Sequence, residues 1–304
     1  MYPFTYHQEE QGLVIDSYQG SGGALRLPDE IDGVPIYKIG DRAFANSALE
    51  HAALPKHLKI LSYQAFMDCE MLHTLTLPES LVSIGVGAFW RCAALREVAL
   101  PPRLHTLGTR AFCECRSLRQ IALPSTLRHL GNGAFMECSS LVRVELAEGL
   151  EYIGVNAFFR CESLRDIQLP ESLRMLGELS FYECFALEQL RVPSKIRSIG
   201  EGTFGRCYAL RRVELPEGLR VIQDSAFRAC RVLEQLNIPE SVEEIGNFAC
   251  KASPNLRPLT LPQSLGRIGE RAFESGVQLR VYAGSAAAAY VAESGLQYSL
   301  IPQA

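Results

Sequence analysis

A phenylalanine returns every 23 residues along most of this chain, at Phe66, Phe89, Phe112, Phe135, Phe158, Phe181, Phe204 and Phe227, and again two periods on at Phe273. Three residues after each of the first eight stands a cysteine, from Cys69 to Cys230. Three further on stands a leucine, from Leu72 to Leu233. The repeat reads I-G-x-x-A-F-x-x-C-x-x-L-x-x-L-x-L-P-x-x-L-x-x, as in residues 153–175. Ten repeats begin at Leu61, Ile84, Leu107, Leu130, Ile153, Leu176, Ile199, Ile222, Ile245 and Ile268, and a shorter one at Ile39 precedes them. No single 23-residue piece can bury its own Leu, Phe and Cys side chains. Stacked pieces can, each covering the next, and that restricts the chain to a solenoid with a repeating core.

The phasing inside a repeat assigns its parts. Val98-x-Leu100 alternates, the period-2 mark of a strand with one buried face. Pro101 ends it, because proline cannot donate a ladder hydrogen bond. Leu104 and Leu107 then turn inward, and Gly108 closes a second short extended piece. The glycines at 85, 108, 131, 154, 177 and 200 predict a tight or left-handed backbone corner. The A-F-x-x-C segment has i, i+3 apolar spacing, which predicts one helical or 3₁₀ turn per repeat. The repeat beginning at Ile245 departs from the motif through residues 247–255, which predicts a local bulge.

These motifs resemble the leucine-rich repeats of the BspA-like family, known from bacterial and protozoan surface antigens. The resemblance covers about residues 13–301. It implies an α/β leucine-rich-repeat solenoid: a right-handed superhelix of short parallel strands, capped at both ends. On this reading residues 1–304 are a single domain. Residues 1–38 form an opening coil and cap, 39–283 hold eleven repeats, and 284–304 form a C-terminal cap. In that cap Ser285 suits a helix N-cap, residues 286–294 a short helix, and Gly295 its exit. The resemblance further implies a binding or adhesion role, with host or matrix proteins as the targets of exported members.

Composition narrows the function. A net charge of −4 offers no excess of positive charge to a phosphate backbone, so nucleic acid is not an expected partner. No apolar run approaches the ~20 residues of a membrane span. The first ten residues show neither a basic n-region nor an apolar h-region. The expected location is therefore cytoplasmic, with the cell surface or secretion as the alternative. The chain carries no G-x-x-x-x-G-K-[ST], H-E-x-x-H or G-x-S-x-G motif, and its six histidines are scattered. Neither an enzyme nor a cofactor is expected. Eight of the ten cysteines occupy one column a full period apart, as small buried hydrophobes of a repeated mould. Metal ligands must converge on one point, whereas this column makes a line, so no metal is expected. Cys113-Glu114-Cys115 is the one close pair, with Cys115 expected inward and Cys113 outward.

Two surfaces remain as candidates for a protein partner. The outward strand columns contain Thr74, Thr76, Glu97, Gln120, Arg143, Glu145, Asp166, Gln168, Arg191, Arg212 and Glu214. They run from small and neutral residues to alternating charges. Next to the repeat phenylalanines lies a second column, Met67, Trp90, Met136, Phe159 and Tyr182, which becomes an apolar stripe if exposed. Such a stripe predicts an interface and a possible homodimer.

Overall fold

The computed structural model describes residues 2–302. They fall into two compact halves that divide between Leu150 and Glu151. Each half is a parallel-strand β-solenoid built on the 23-residue period. In the N-terminal half one parallel ladder pairs Ile60–Leu61, Ser83–Ile84, Thr106–Leu107 and His129–Leu130, with Thr106 beside Ser83 and Leu107 beside Ile84. A second sheet joins Gly23–Arg26, Leu49–Ala53 and Thr74–Thr76. In the C-terminal half Ser198–Ile199, Val221–Ile222, Glu244–Ile245 and Arg267–Ile268 form one ladder. Gln189–Arg191, Arg212–Glu214 and Gln235–Leu236 form another.

The repeated side chains fill the interior as the period requires. The phenylalanine rings stack coil on coil at centroid distances of 4.8, 5.6, 5.0 and 5.6 Å from Phe44 through Phe66, Phe89 and Phe112 to Phe135. In the C-terminal half Phe158, Phe181, Phe204 and Phe227 stack likewise. All of these rings are fully buried. Leu72, Leu95, Leu118 and Leu141 are equally inaccessible. The Pro-x-x-Leu segments close turns, as in the bonds from Leu81 N to Pro78 O and from Leu104 N to Pro101 O, both 3.1 Å.

The expected helical turn is absent from the repeats. The one helix among the described residues is Ala286–Ser294 in the cap. The A-F-x-x-C segments are runs of β-turns instead. Ala88 N–H donates to Gly85 O, Trp90 N–H to Gly87 O and Cys92 N–H to Phe89 O. The intervening amides leave the coil. Gly87 N–H, Phe89 N–H and Arg91 N–H donate to Thr109 O, Ala111 O and Cys113 O of the next coil, at 2.8–2.9 Å. A helix would spend all these donors internally, whereas alternation uses half of them to join coils. Alternation requires left-handed backbone at two sites per coil, Gly87 (φ 60°) and Arg91 (φ 60°) here, the type II signature at the third turn position.

The glycine column serves close approach and not left-handed backbone. Gly85, Gly108 and Gly131 lack positive φ. A Cβ on Gly108 would lie 2.6 Å from Gly85 C and Val86 N, and one on Gly131 2.6 Å from Gly108 C. The expected bulge after Ile245 is also absent. Cys250 takes the phenylalanine place, its N–H donating to Ala272 O at 2.7 Å, and Phe248 and Ala252 take the two left-handed sites. The ladder continues in step, with Glu244 beside Arg267.

Both ends are closed. Phe4–Glu9 folds antiparallel onto Gly12–Tyr18, a hairpin that the repeat pattern does not reveal, and Gly12–Tyr18 pairs parallel with Val34–Ile39. At the other end Ser285 Oγ accepts from Ala288 N–H at 3.1 Å, and Gly295 exits left-handed (φ 71°).

Candidate functional site

The strand-start and strand residues set the outward columns. In the N-terminal half Thr74, Thr76, Glu97, Gln120, Arg143 and Glu145 are all exposed. Gln120–Leu123 and Arg143–Leu146 pair fully, Gln120 beside Arg143 and Ala122 beside Glu145. The coil between Thr74–Thr76 and Gln120–Leu123 is looser and joins its neighbours through single bridges at Glu97. A groove of about 560 Å³ opens there. Its lining includes Thr74, Thr76, Glu97, Ala99, Gln120, Ala122, Arg143 and Glu145. The small Ala99 and Ala122 side chains leave this space, and both are exposed.

In the C-terminal half Asp166, Gln168, Arg191, Arg212 and Glu214 are also exposed. The charges on the two faces are partly neutralised, within a coil or between adjacent coils. Arg143 lies 2.9 Å from Glu145, Arg212 2.6 Å from Glu214, and Arg191 3.4 Å from Glu171. Exposed pairs of this kind contribute ~0.2–1 kcal/mol each.

The second column is half-buried, not an open stripe. Met67, Trp90 and Met136 in the N-terminal half, and Phe159 and Tyr182 in the C-terminal half, are all intermediate in exposure. Trp90 donates its indole N–H to Glu114 Oε1 at 3.2 Å, while the Arg91 and Arg110 guanidiniums lie 5.2 and 5.7 Å from its ring centroid. Burial of the Glu114 carboxyl opposes ionisation, but the Trp90 N–H and Arg91 together hold it below the usual carboxylate range. Phe159 stacks on Tyr182 at 5.5 Å. Cys113, expected outward, is only 1% exposed. It is the small member of this column, a period from both Trp90 and Met136.

Every cysteine is buried and unbridged. The column thiols have a defined task. Cys92, Cys115 and Cys138 donate S–H to the carbonyls of Phe66, Phe89 and Phe112 at 3.1–3.2 Å. Cys184, Cys207 and Cys230 do the same for Phe158, Phe181 and Phe204. Ser253 continues the role with a hydroxyl, donating to Phe227 O at 2.9 Å and accepting from Cys230 N–H at 3.1 Å. Burial pushes the thiols of Cys92, Cys115, Cys138, Cys184, Cys207 and Cys230 up, and that of Cys113 to about 12. A buried, protonated thiol is a poor nucleophile. Because every cysteine is buried, Ellman's reagent at neutral pH should release well under one equivalent from the native chain and ten after denaturation. Rapid release of several equivalents from native protein would contradict the burial. Among the described residues no three His, Cys, Asp or Glu side chains are grouped to hold a metal ion. Nor is any helix among them long and apolar enough to cross a membrane.

Residues 37–165 and 128–257 match the family model described as the BspA type leucine rich repeat region, in six copies. No curated protein matches the chain. Among solved structures it is similar to a leucine rich cell surface protein from Faecalibacterium prausnitzii. That match has 20% identity and a TM-score of 0.64, and covers 99% of this chain and 93% of that one. A leucine-rich repeat protein from Bacteroides ovatus matches at 22% identity and TM-score 0.54, covering 99% of each chain. The pneumococcal vaccine antigen PcpA matches at 17% identity and TM-score 0.58, covering 100% of each. At these identities the structures speak for the fold. With the family model spanning most of the stack, the chain belongs to the BspA-type leucine-rich-repeat family.

Proposed function

We propose that this chain is a non-enzymatic protein-recognition module whose partner seats on the outward strand face. The observation that carries this reading is the groove over Ala99 and Ala122, where small residues sit between exposed polar columns. A solenoid offers such a face for contact along its length. The reading takes residues 1–304 as one right-handed domain. It is supported by a repeat count that runs from Phe135 to Phe158 without a change of period, and by the handedness of parallel crossovers. Self-association through the stripe has less support, because its rings are half-buried and Trp90 is already engaged.

Ala122→Arg tests the proposal by filling the groove from an exposed position. The variant should melt with the parent and fail to retain the binding partner that the parent captures from extracts of its source cell. Val86→Arg, on an exposed residue of the turn side, should retain it. Equal capture by the parent and Ala122→Arg would sink the proposal.

A second reading places the same module at the cell surface as an antigen or adhesin. It is supported by the cell surface protein and the vaccine antigen among the similar structures. Protease applied to intact cells separates the two locations, since only a surface-displayed chain is cleaved.

A further inference from the structure

One column of the N-terminal half is charged in a way the fold does not need. The residue just before each outward strand position is Glu50, His73, Arg96, Arg119 and Val142 in successive coils. Arg96 and Arg119 are direct neighbours, since Arg119 N–H donates to Arg96 O at 3.1 Å. Both side chains are exposed, and among the described residues neither has a carboxylate within ion-pair distance. Like charges stacked on adjacent strands, about 4.8 Å apart, destabilise a sheet. The C-terminal half shows the neutral solution in the same column. There Arg165, Glu188, Arg211, Glu234 and Arg257 alternate, and Glu234 lies 3.8 Å from Arg211 and 3.4 Å from Arg257.

The two free guanidiniums border a groove of about 850 Å³, whose lining also includes His73, Thr74, Gln120 and Val142. This groove shares Thr74, Glu97, Gln120 and Arg143 with the one over Ala99 and Ala122. Val142 offers an exposed apolar contact at one end, at 46% exposure. His73 Nδ1 is buried there without a hydrogen-bond partner.

We propose that Arg96 and Arg119 bind the carboxylates of an extended acidic segment of the partner protein, laid across the coils beside the strand face. This rests on the protein-recognition reading and names the partner's chemistry. Guanidinium forks match carboxylates in geometry as well as charge. From His51 to Arg143 the groove crosses four coil steps, roughly 19 Å, the length of about six extended residues. A peptide fits this site better than a nucleic acid. The lining has no Phe, Tyr or Trp ring on which a base could stack. The chain's net charge of −4 also leaves the basic strip local.

Fluorescence anisotropy with the full chain tests the site, using fluorescein-labelled hexaglutamate, hexaglutamine and a thymidine oligonucleotide of similar length. Hexaglutamate should bind in a salt-dependent way and hexaglutamine should not. Arg96→Glu should weaken binding about tenfold or more, by removing one cation and placing a like charge against the peptide. The same substitution should leave the melting temperature unchanged or raise it, because it recreates the alternation seen around Glu234. Arg257→Gln, in the other half, should bind like the parent. Equal binding of the two peptides, an unaffected Arg96→Glu variant, or tighter binding of the oligonucleotide would overturn the assignment. If hexaglutamate fails to bind while Ala122→Arg still abolishes partner capture, this site falls and the wider reading stands. If hexaglutamate binds as expected while Ala122→Arg captures normally, the wider reading falls instead.

Discussion

Phe112→Ala should destabilise the chain by about 3–5 kcal/mol in urea unfolding, the range for emptying a buried aromatic site. Two features place it toward the upper end. Phe112 is fully buried between Phe89 at 5.0 Å and Phe135 at 5.6 Å, with ring planes only 18° and 7° from parallel. Truncation therefore strips contact from two rings at once. The backbone around the void is also pinned. Phe112 N–H donates to Ala134 O at 2.8 Å, and Phe112 O accepts the Cys138 thiol at 3.1 Å. A cavity whose walls cannot move in keeps its full cost. A loss below about 1 kcal/mol would mean that the turn segments relax far more than their bonding indicates.

Gly108→Ala should also destabilise, by about 1–3 kcal/mol, although the opposite sign is the ordinary expectation. Replacing glycine at a compatible φ stabilises by ~0.4–1 kcal/mol, through the unfolded chain. Here the added methyl would meet Gly85 C and Val86 N at 2.6 Å, so two backbones must part. Overpacking strain of ~1–3 kcal/mol outweighs the entropy gain. Gly276 is the control, with no atom within 4 Å of its Cβ position and no positive φ. Gly276→Ala should be neutral or slightly stabilising. Equal effects at the two sites would show that glycine at 108 does not mark close approach.

The core was legible in the sequence because a buried column demands one residue type in one place. Phe66 to Phe227 and Leu72 to Leu233 could be assigned from spacing alone. So could the C-terminal helix, whose Ser285 cap and Gly295 exit are local signals. The turn segments were not legible, because i, i+3 apolar spacing suits a run of β-turns as well as a 3₁₀ turn. Hydrogen bonds to the next coil decide between them, and those are not written in one repeat. Arg42, Gln64, Arg91 and Glu114 adopt left-handed backbone that residue preference would not assign them, held by the same cross-coil bonds. Cys113 misled because its exposure depends on its large column neighbours and not on its own phase. Ser253 was hidden by its chemistry, since the pattern looked for sulfur where oxygen does the same work. At the candidate surface, exposure of Thr74, Gln120 and Arg143 followed from alternation. That no carboxylate among the described residues lies within ion-pair distance of Arg96 or Arg119 emerged only in three dimensions.

The hydroxyl at Ser253 has a practical corollary for handling this molecule. At this one position an oxygen makes the bond that sulfur makes in the coil before it. A version carrying serine at every column position, with Cys113 and Cys250 replaced as well, would be immune to thiol oxidation. It would also give spectroscopists a silent background on which single labels could be installed at chosen points of the proposed binding face.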